Sequence, residues 1–213
     1  MNEDPLAPLR RTGLLPIARG VPTAVLEAAA GVLLEAGIAV IEVTMNTPDA
    51  SGAIRRLAQA YEGRLVVGAG TVLEASEAAA AVAAGAQFLV TPHVDGDVIA
   101  AAHQLQVPII PGAMTPTEVL QAWRAGAALV KLFPAVTLGP QYLRQLRGPL
   151  PEIPLVPTGG VTVDSTAEFI AAGAVAVGVG GTLLGRRAGD LGWLRIEVSR
   201  FAAAVQRGRQ QHA

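Results

Sequence analysis

The sequence predicts an α/β fold, namely a (β/α)8 or TIM barrel that forms a single domain over residues 1–213. Short apolar runs typical of strands alternate with alanine-rich helical patterns from one end of the chain to the other. The runs are continuously apolar, as expected of parallel strands that are covered on both faces. An Ala-Gly pair also recurs before strands at intervals of about two β-α units, which indicates repeated βαβα modules.

Each element has its own support along the chain. The predicted strands are Leu14–Ala18, Val40–Thr44, Leu65–Ala69, Phe88–Thr91, Pro108–Pro111, Leu129–Phe133, Leu155–Thr158 and Val175–Val179. The predicted helices are Thr23–Glu35, Pro48–Tyr61, Glu74–Ala84, Asp97–Leu105, Pro116–Ala125, Pro140–Leu146 and Asp164–Ala171, with a last amphipathic helix over about Leu191–Gln206. Thr47-Pro48 and Thr115-Pro116 each place a capping hydroxyl before a proline at the first helical position. The glycines of the Ala-Gly pairs are expected to end helices in the left-handed conformation, at Gly37, Gly85, Gly126 and Gly173.

The alternative fold is an open doubly wound sheet, but its Gly-x-Gly-x-x-Gly nucleotide loop after the first strand is missing.

Composition excludes several classes of function. The chain has no cysteine, which excludes disulfides, thiol catalysis and cysteine-ligated metal sites. The net charge of −1 gives no basic footprint for nucleic acid and no polybasic membrane patch. No apolar run reaches the roughly 18 residues of a spanning helix. Acidic residues at Glu3 and Asp4 stand where a secretory signal carries positive charge, so we expect a cytoplasmic protein.

Lys131 is the only lysine in the chain, since the other fifteen basic residues are arginines. It lies within an apolar strand, where burial lowers the pKa of an amine and lets it attack a carbonyl group to form an imine. Glu42 likewise lies inside an apolar strand, on the same face as Thr44 because side chains alternate along a strand. An isolated buried charge costs several kcal/mol, so we expect Lys131 and Glu42 to point into the barrel toward each other or toward a ligand.

Glycine-rich loops follow the seventh and eighth predicted strands, at Pro157-Thr-Gly-Gly160 and Val177-Gly-Val-Gly-Gly181-Thr182. Loops at these two positions form the recurrent phosphate site of (β/α)8 barrels. The sequence therefore predicts a phosphorylated ligand, held at Gly159, Gly160, Gly180, Gly181 and Thr182.

Other polar residues at strand ends have weaker assignments. Thr71, after Gly68-Ala-Gly, offers a hydroxyl group at the mouth of the barrel. Arg19 follows the first strand and either binds an anionic group of the substrate or is a solvated loop arginine. His93, Asp95 and Asp97 could suggest a metal site, but an N-cap role for Asp95 or Asp97 is the simpler interpretation, so no metal and no cofactor are predicted.

With these residues assembled, the chain resembles the class I aldolases of 2-keto-3-deoxy-6-phosphogluconate (KDPG) and 4-hydroxy-2-oxoglutarate. The matching segments run from about residue 14 to 185: Glu42-Val-Thr, Gly68-Ala-Gly-Thr-Val-Leu73, Pro111-Gly112, Lys131-Leu-Phe-Pro-Ala135, Pro157-Thr-Gly-Gly160 and Gly180-Gly181. The resemblance implies an imine at Lys131, proton transfer at Glu42, phosphate bound by the two glycine loops, a phosphorylated keto acid as substrate, and a homotrimer. It also assigns Arg19, Thr71, Phe133 and Thr158 to substrate binding.

Departures from the family pattern leave the substrate open. Asn46 stands where many members have an arginine for the substrate carboxylate, which resembles the branch acting on the galactonate isomer. Thr158 is instead the residue of the gluconate type, and Thr182 replaces a usual serine while keeping the hydroxyl group. Gluconate, galactonate and hydroxyglutarate substrates therefore all remain. Two other classes also remain: a metal-dependent phosphate-barrel enzyme, and a non-catalytic binder of phosphorylated metabolites.

Overall fold

The computed structural model describes residues 4–212, which form an α/β fold with parallel strands. The strands are β1 Leu14–Ala18, β2 Val40–Thr44, β3 Val66–Gly70, β4 Phe88–Val90, β5 Ile109–Ile110, β6 Gly112–Ala113, β7 Val130–Leu132, β8 Leu155–Pro157 and β9 Val177–Val179. The helices are α1 Ala7–Thr12, α2 Thr23–Glu35, α3 Ala50–Ala60, α4 Ala75–Ala83, α5 Gly96–Gln104, α6 Pro116–Arg124, α7 Ala135–Arg147, α8 Val163–Ala171 and α9 Leu191–His212. The predicted α/β class and the alternation of strands with helices are confirmed.

The strands pair in two groups, a six-stranded sheet in the order β5-β4-β3-β2-β1-β9 and a three-stranded sheet in the order β6-β7-β8. Every pairing is parallel, and the register places Ile17 of β1 beside Glu42 of β2 and Gly112 of β6 beside Lys131 of β7. The predicted fifth strand is confirmed as the shorter β5, and β6, which was not predicted, begins after Pro111, a residue that has no N–H group for a strand ladder. Because all strands run the same way, their carboxyl ends lie together and carry the loops of the candidate site.

Local signals were correct at several helix ends. Thr115 forms the predicted cap of α6 as part of a capping box with Glu118, and Asp95 caps α5 by accepting from the Asp97 and Val98 amides. The glycines of the four Ala-Gly pairs all have positive φ, at Gly37, Gly85, Gly126 and Gly173.

Other helix ends differ from the prediction. The expected cap of α3 by Thr47 is wrong: the N-cap is Asp49, which makes no side-chain capping bond, because the Thr47 hydroxyl accepts a hydrogen bond from Gly20 instead. Helix α7 begins at Ala135 rather than Pro140, and non-helical torsions at Gly139 (φ 72°, ψ 167°) divide it just before Pro140. Helix α1 had no sequence signal that we recognised.

The core lies between the strands and the surrounding helices. Small residues make room for large ones, as where the Phe88 ring of β4 occupies the space beside Gly68 of β3. Helix α9 packs on α8 and α2 and buries an apolar stripe with helical spacing, made of Leu194, Val198, Phe201 and Val205. Within residues 4–212, no helix has the length and apolar character needed to cross a bilayer.

Candidate active site

A cavity of about 520 Å³ opens at the carboxyl ends of β1, β7, β8 and β9. Nine of its lining residues were predicted from the sequence to contact ligand: Arg19, Lys131, Phe133, Thr158, Gly159, Gly160, Gly180, Gly181 and Thr182. The volume falls in the range of small-molecule sites, which is about 300–1,000 Å³. The structure therefore brings one lysine, one arginine and two glycine-rich loops to a single cavity.

Lys131 is the central residue of β7 and is only 4% exposed. Its Nζ atom lies 5.0 Å from the centroid of the Phe133 ring, on the face of the strand that points into the cavity. Burial lowers the pKa of the Lys131 ammonium group from its ordinary value; the Glu42 charge opposes this shift and the Arg19 charge adds to it. A lowered pKa leaves more of the amine unprotonated at neutral pH, as a nucleophile requires.

Glu42 lies on β2 and is fully buried. Neither of its carboxylate oxygens has a hydrogen-bond partner among residues 4–212. Burial raises the pKa of the Glu42 carboxyl group, and the positive charges of Lys131 and Arg19 partly offset this rise. The carboxylate occupies the space beside Gly70 of β3, where a Cβ atom would overlap it. A buried carboxyl group with free lone pairs and a raised pKa is suited to accept and return a proton.

Arg19 connects the cavity to the loop after β3. Its guanidinium group donates a hydrogen bond of 3.2 Å to the Thr71 hydroxyl oxygen. Thr71 has a left-handed backbone (φ 55°), which is uncommon for a residue other than glycine. Thr71 and Glu42 do not line the cavity themselves, but each interacts with a residue that does.

The glycine loops differ in why glycine is needed. Gly159 and Gly160 have positive φ angles of 94° and 75°, and added side chains there would meet Phe133 and Val136. Gly180 and Gly181 have no such torsion, and a Cβ would meet only ordinary contacts of 3.9 Å or more at Gly180 and nothing within 4 Å at Gly181. Neither packing nor backbone conformation explains glycine at these two positions. The space beside both glycines is open and leaves room for a bound group.

Sequence reasoning missed four residues of the cavity wall, namely Ile17, Val161, Leu184 and Gly185. Ile17 had a usable signal, since it lies next to the carboxyl end of β1, and the ends of barrel strands carry the site. Asn46, which stands where an arginine was expected, is exposed and does not line the cavity. The Thr158 side chain is buried and its hydroxyl group donates to the Val156 carbonyl at 3.2 Å.

No group of three or more His, Cys, Asp or Glu side chains within the described part of the chain could hold a metal ion. His93 and Asp95 approach each other to 3.8 Å, but Asp95 also caps α5. The cavity therefore offers an amine, a guanidinium group, threonine hydroxyl groups and backbone amides, and the carboxyl group of Glu42 lies beside it.

Comparisons with known proteins agree with this chemistry. The family model for KDPG and KHG aldolases matches residues 8–196. The chain is 36% identical to 2-dehydro-3-deoxy-6-phosphogalactonate aldolase of Escherichia coli K12, covering 80% of this chain and 83% of that one. It is 39% identical to 2-dehydro-3-deoxy-phosphogluconate aldolase of Pseudomonas aeruginosa, covering 79% and 77%. A solved structure of KDPG aldolase from Legionella pneumophila, with pyruvate captured as a covalent carbinolamine, superposes with a TM-score of 0.84 at 26% identity over 94% of this chain and 98% of that one.

Proposed function

Because the chain belongs to the family of KDPG and KHG aldolases, we propose that it is a class I aldolase that cleaves 2-keto-3-deoxy-6-phosphogluconate into pyruvate and glyceraldehyde 3-phosphate. The observation that carries this proposal is the buried amine of Lys131, the only lysine, at the wall of a cavity with glycine loops. Its pKa is lowered by burial, as imine formation requires. The carbinolamine captured in the Legionella enzyme is the first covalent species of the same route.

In the proposed reaction, the Lys131 amine attacks the C2 ketone to give a carbinolamine, which loses water to form a protonated imine. The imine withdraws electrons as the C3–C4 bond breaks, which releases glyceraldehyde 3-phosphate and leaves an enamine on the lysine. Glu42, acting through a water molecule, takes the proton of the C4 hydroxyl group. Protonation of the enamine at C3 and hydrolysis of the resulting imine then release pyruvate and regenerate the free amine. The unpartnered, buried carboxylate of Glu42 supports this assignment.

The remaining groups hold the substrate. The open space beside Gly180 and Gly181 and the turns at Gly159 and Gly160 support a phosphate site made of backbone N–H groups and the Thr182 hydroxyl. Arg19, with Thr71, is assigned to the carboxylate at the opposite end of the keto acid. Phe133 and Thr158 line the cavity and are assigned to the substrate chain between these two anionic groups.

A second candidate substrate is the galactonate isomer, which differs in the configuration at C4. The Escherichia coli relative acts on that isomer. Asn46, at the position of the carboxylate-binding arginine of many family members, is exposed, so Arg19 would bind the substrate carboxylate, as in the galactonate branch of the family. Thr158 in the cavity favours the gluconate isomer. Hydroxyglutarate, which lacks the phosphate, is the third candidate. Relative values of kcat/KM for the three compounds decide among them.

We also propose that the two sheets close into one (β/α)8 barrel that forms a single domain. Two backbone hydrogen bonds support closure: Ala128 N–H, just before β7, donates to Ile109 O of β5 at 3.0 Å, and Val175 N–H, just before β9, donates to Leu155 O of β8 at 3.0 Å. A bridge between Thr158 and Gly178 adds a third link. Amide hydrogen exchange of all strands with a common protection factor would support one cooperative unit, whereas two protection levels that divide between the sheets would contradict it.

A homotrimer is the proposed assembly. Three large apolar side chains are exposed in segments that follow β3, β6 and β7, namely Leu73 (47%), Met114 (38%) and Val136 (68%), and they supply apolar surface for an interface. Native mass spectrometry should give three times the chain mass of 21.8 kDa.

A phosphorylated sugar acid does not cross a bilayer unaided because of its charge, so the cytoplasm is the proposed location.

The test of the function is borohydride reduction in the presence of pyruvate, followed by intact mass and peptide mapping. The only primary amines are Lys131 and the N-terminus, so the modified peptide identifies the site. A stable adduct on the Lys131 peptide, absent from Lys131→Met, is the expected result. No adduct on the folded protein would refute the aldolase. Activity that is lost on chelation would instead favour a metal-dependent enzyme, and binding of phosphorylated sugars without turnover would favour a binding protein.

A further inference from the structure

Arg19 and Lys131 are the two basic side chains that line the cavity, yet Arg19 is exposed and lies in a loop. Its one side-chain hydrogen bond within the described residues goes to Thr71, which is itself in a loop. The position of its guanidinium group therefore depends on how firmly the backbone around Arg19 is held.

Two threonines of the β2 segment hold that backbone on both sides of Arg19. Before it, the Ala18 carbonyl accepts a 3.3 Å hydrogen bond from the Thr44 hydroxyl. After it, the Gly20 amide donates a 2.9 Å hydrogen bond to the Thr47 hydroxyl oxygen. The two hydroxyl groups lie 3.1 Å apart. We propose that Thr44 and Thr47 are positioning residues that set Arg19 for the substrate carboxylate, an inference that rests on the proposed function.

The hydrogen-bond directions are determined by the donors available. A hydroxyl group has a single proton, and Thr44 uses its proton on Ala18. Thr47 accepts from Gly20, so its own proton is free for the Thr44 oxygen. The result is a one-way chain from the Gly20 amide through both hydroxyl groups to the Ala18 carbonyl. Bonds in such a chain polarise and strengthen one another, particularly out of water, and Thr44 and Thr47 are 0% and 7% exposed.

A second observation shows that the Thr47 hydroxyl group takes part in this hydrogen-bond chain and does not cap its own helix. Thr47 precedes Pro48 and has the sequence pattern of an N-cap, but α3 has Asp49 at its N-cap, without a side-chain capping bond. The Thr47 hydroxyl is thus diverted from the helix to the loop after β1. That loop turns sharply at Gly20, whose φ of 65° is readily adopted only by glycine.

Removing the Thr47 hydroxyl group interrupts the chain and frees the turn at Gly20. Arg19 can then shift relative to Thr71 and to the carboxylate, while Lys131 lies on β7, to which neither threonine hydroxyl is hydrogen-bonded. The expected effect of Thr47→Val is a rise of about three- to tenfold in the pyruvate concentration for half-maximal trapping, the range of one net hydrogen bond. The trapping rate at saturating pyruvate should not change.

The experiment measures the rate at which cyanoborohydride traps a ketone on Lys131, by intact mass, over a range of ketone concentrations. Pyruvate and acetone are compared, since acetone has no carboxylate for Arg19 to bind. The matched control is Thr166→Val, which removes another fully buried threonine hydroxyl, bonded to the Thr162 carbonyl at 2.7 Å; Thr166 does not line the cavity. Thr47→Ser, which keeps the hydroxyl group, should restore the wild-type value.

Three results support the positioning role. Thr47→Val should raise the half-maximal concentration of pyruvate but not of acetone, Thr166→Val should match wild type, and Thr47→Val should cause no further rise in an Arg19→Met background. An equal rise for acetone, or an equal rise in Thr166→Val, would overturn the positioning role. So would an unchanged pyruvate dependence in Thr47→Val when wild type forms the adduct. A wild-type protein that forms no adduct with either ketone would overturn the proposed function itself, and this inference with it.

Discussion

Replacing Gly70 with alanine is expected to impair the reaction far more than the fold. Gly70 lies on β3, and a Cβ atom there would overlap the Oε1, Cδ and Cγ atoms of Glu42. The φ angle of Gly70 lies outside the left-handed region, so alanine adds no backbone strain. The added methyl group therefore acts through Glu42, whose carboxylate must move by about 1 Å or more to reach an ordinary contact distance.

The magnitudes of the two effects differ. Overpacking a core position costs about 1–3 kcal/mol. Replacing glycine with alanine at a compatible φ returns about 0.4–1 kcal/mol through the unfolded chain. The net loss in the free energy of unfolding is therefore about 0–2.5 kcal/mol. A catalytic group displaced by about 1 Å can cost about 100-fold in rate, and that is the loss expected in kcat.

The assay couples pyruvate release to lactate dehydrogenase, with chemical denaturation run in parallel. The control is Gly68→Ala on the same strand, where the added methyl group would overlap the Phe88 ring rather than a carboxylate. Gly68→Ala should lose stability to a similar or greater extent while it keeps most of its activity. The assignment of proton transfer to Glu42 would be refuted if Gly70→Ala kept full turnover. It would also be refuted if both variants lost activity in proportion to their stability.

Three further outcomes are expected. Lys131→Met should abolish turnover, and measurable cleavage by this variant would contradict the imine route. Because an apolar side chain replaces a buried amine, the variant should unfold at no lower denaturant concentration than wild type. Burial lowers the pKa of Lys131, so its free amine forms at lower pH than in an ordinary lysine. The rate of pyruvate trapping should therefore rise with pH and level off well below about pH 10.4. A midpoint at or above that pH would show a solvated amine. Gly181→Val fills the open space in the cavity without backbone strain. It should raise KM for the phosphorylated substrate at least tenfold and leave the rate of pyruvate trapping unchanged. An equal loss of substrate cleavage and of pyruvate trapping would place the phosphate elsewhere.

The chemistry of the site could be predicted because it depends on residue types in local patterns. A lone lysine among Leu129, Val130, Leu132 and Phe133 is anomalous in any fold, and a parallel α/β arrangement brings strand ends together whatever their exact pairing. The glycine loops were recognisable for the same reason, since the phosphate binding proposed for them depends on backbone amides and on the absence of side chains. These patterns, together with the family resemblance, gave nine of the residues that line the cavity.

Only the tertiary structure decided which groups meet. The Thr47 hydroxyl was expected to cap its own helix, as its neighbour Pro48 indicates, but it bonds to Gly20, which lies 27 residues away along the chain. The space for Glu42 depends on Gly70 of the next strand, and the hydrogen bond of Arg19 to Thr71 spans 52 positions. A hydroxyl, a carboxylate or a guanidinium group can satisfy its hydrogen bonds with several partners, and the choice depends on the strand register that the packed core imposes. A sequence pattern states what a side chain can do, whereas the register decides which neighbour it reaches.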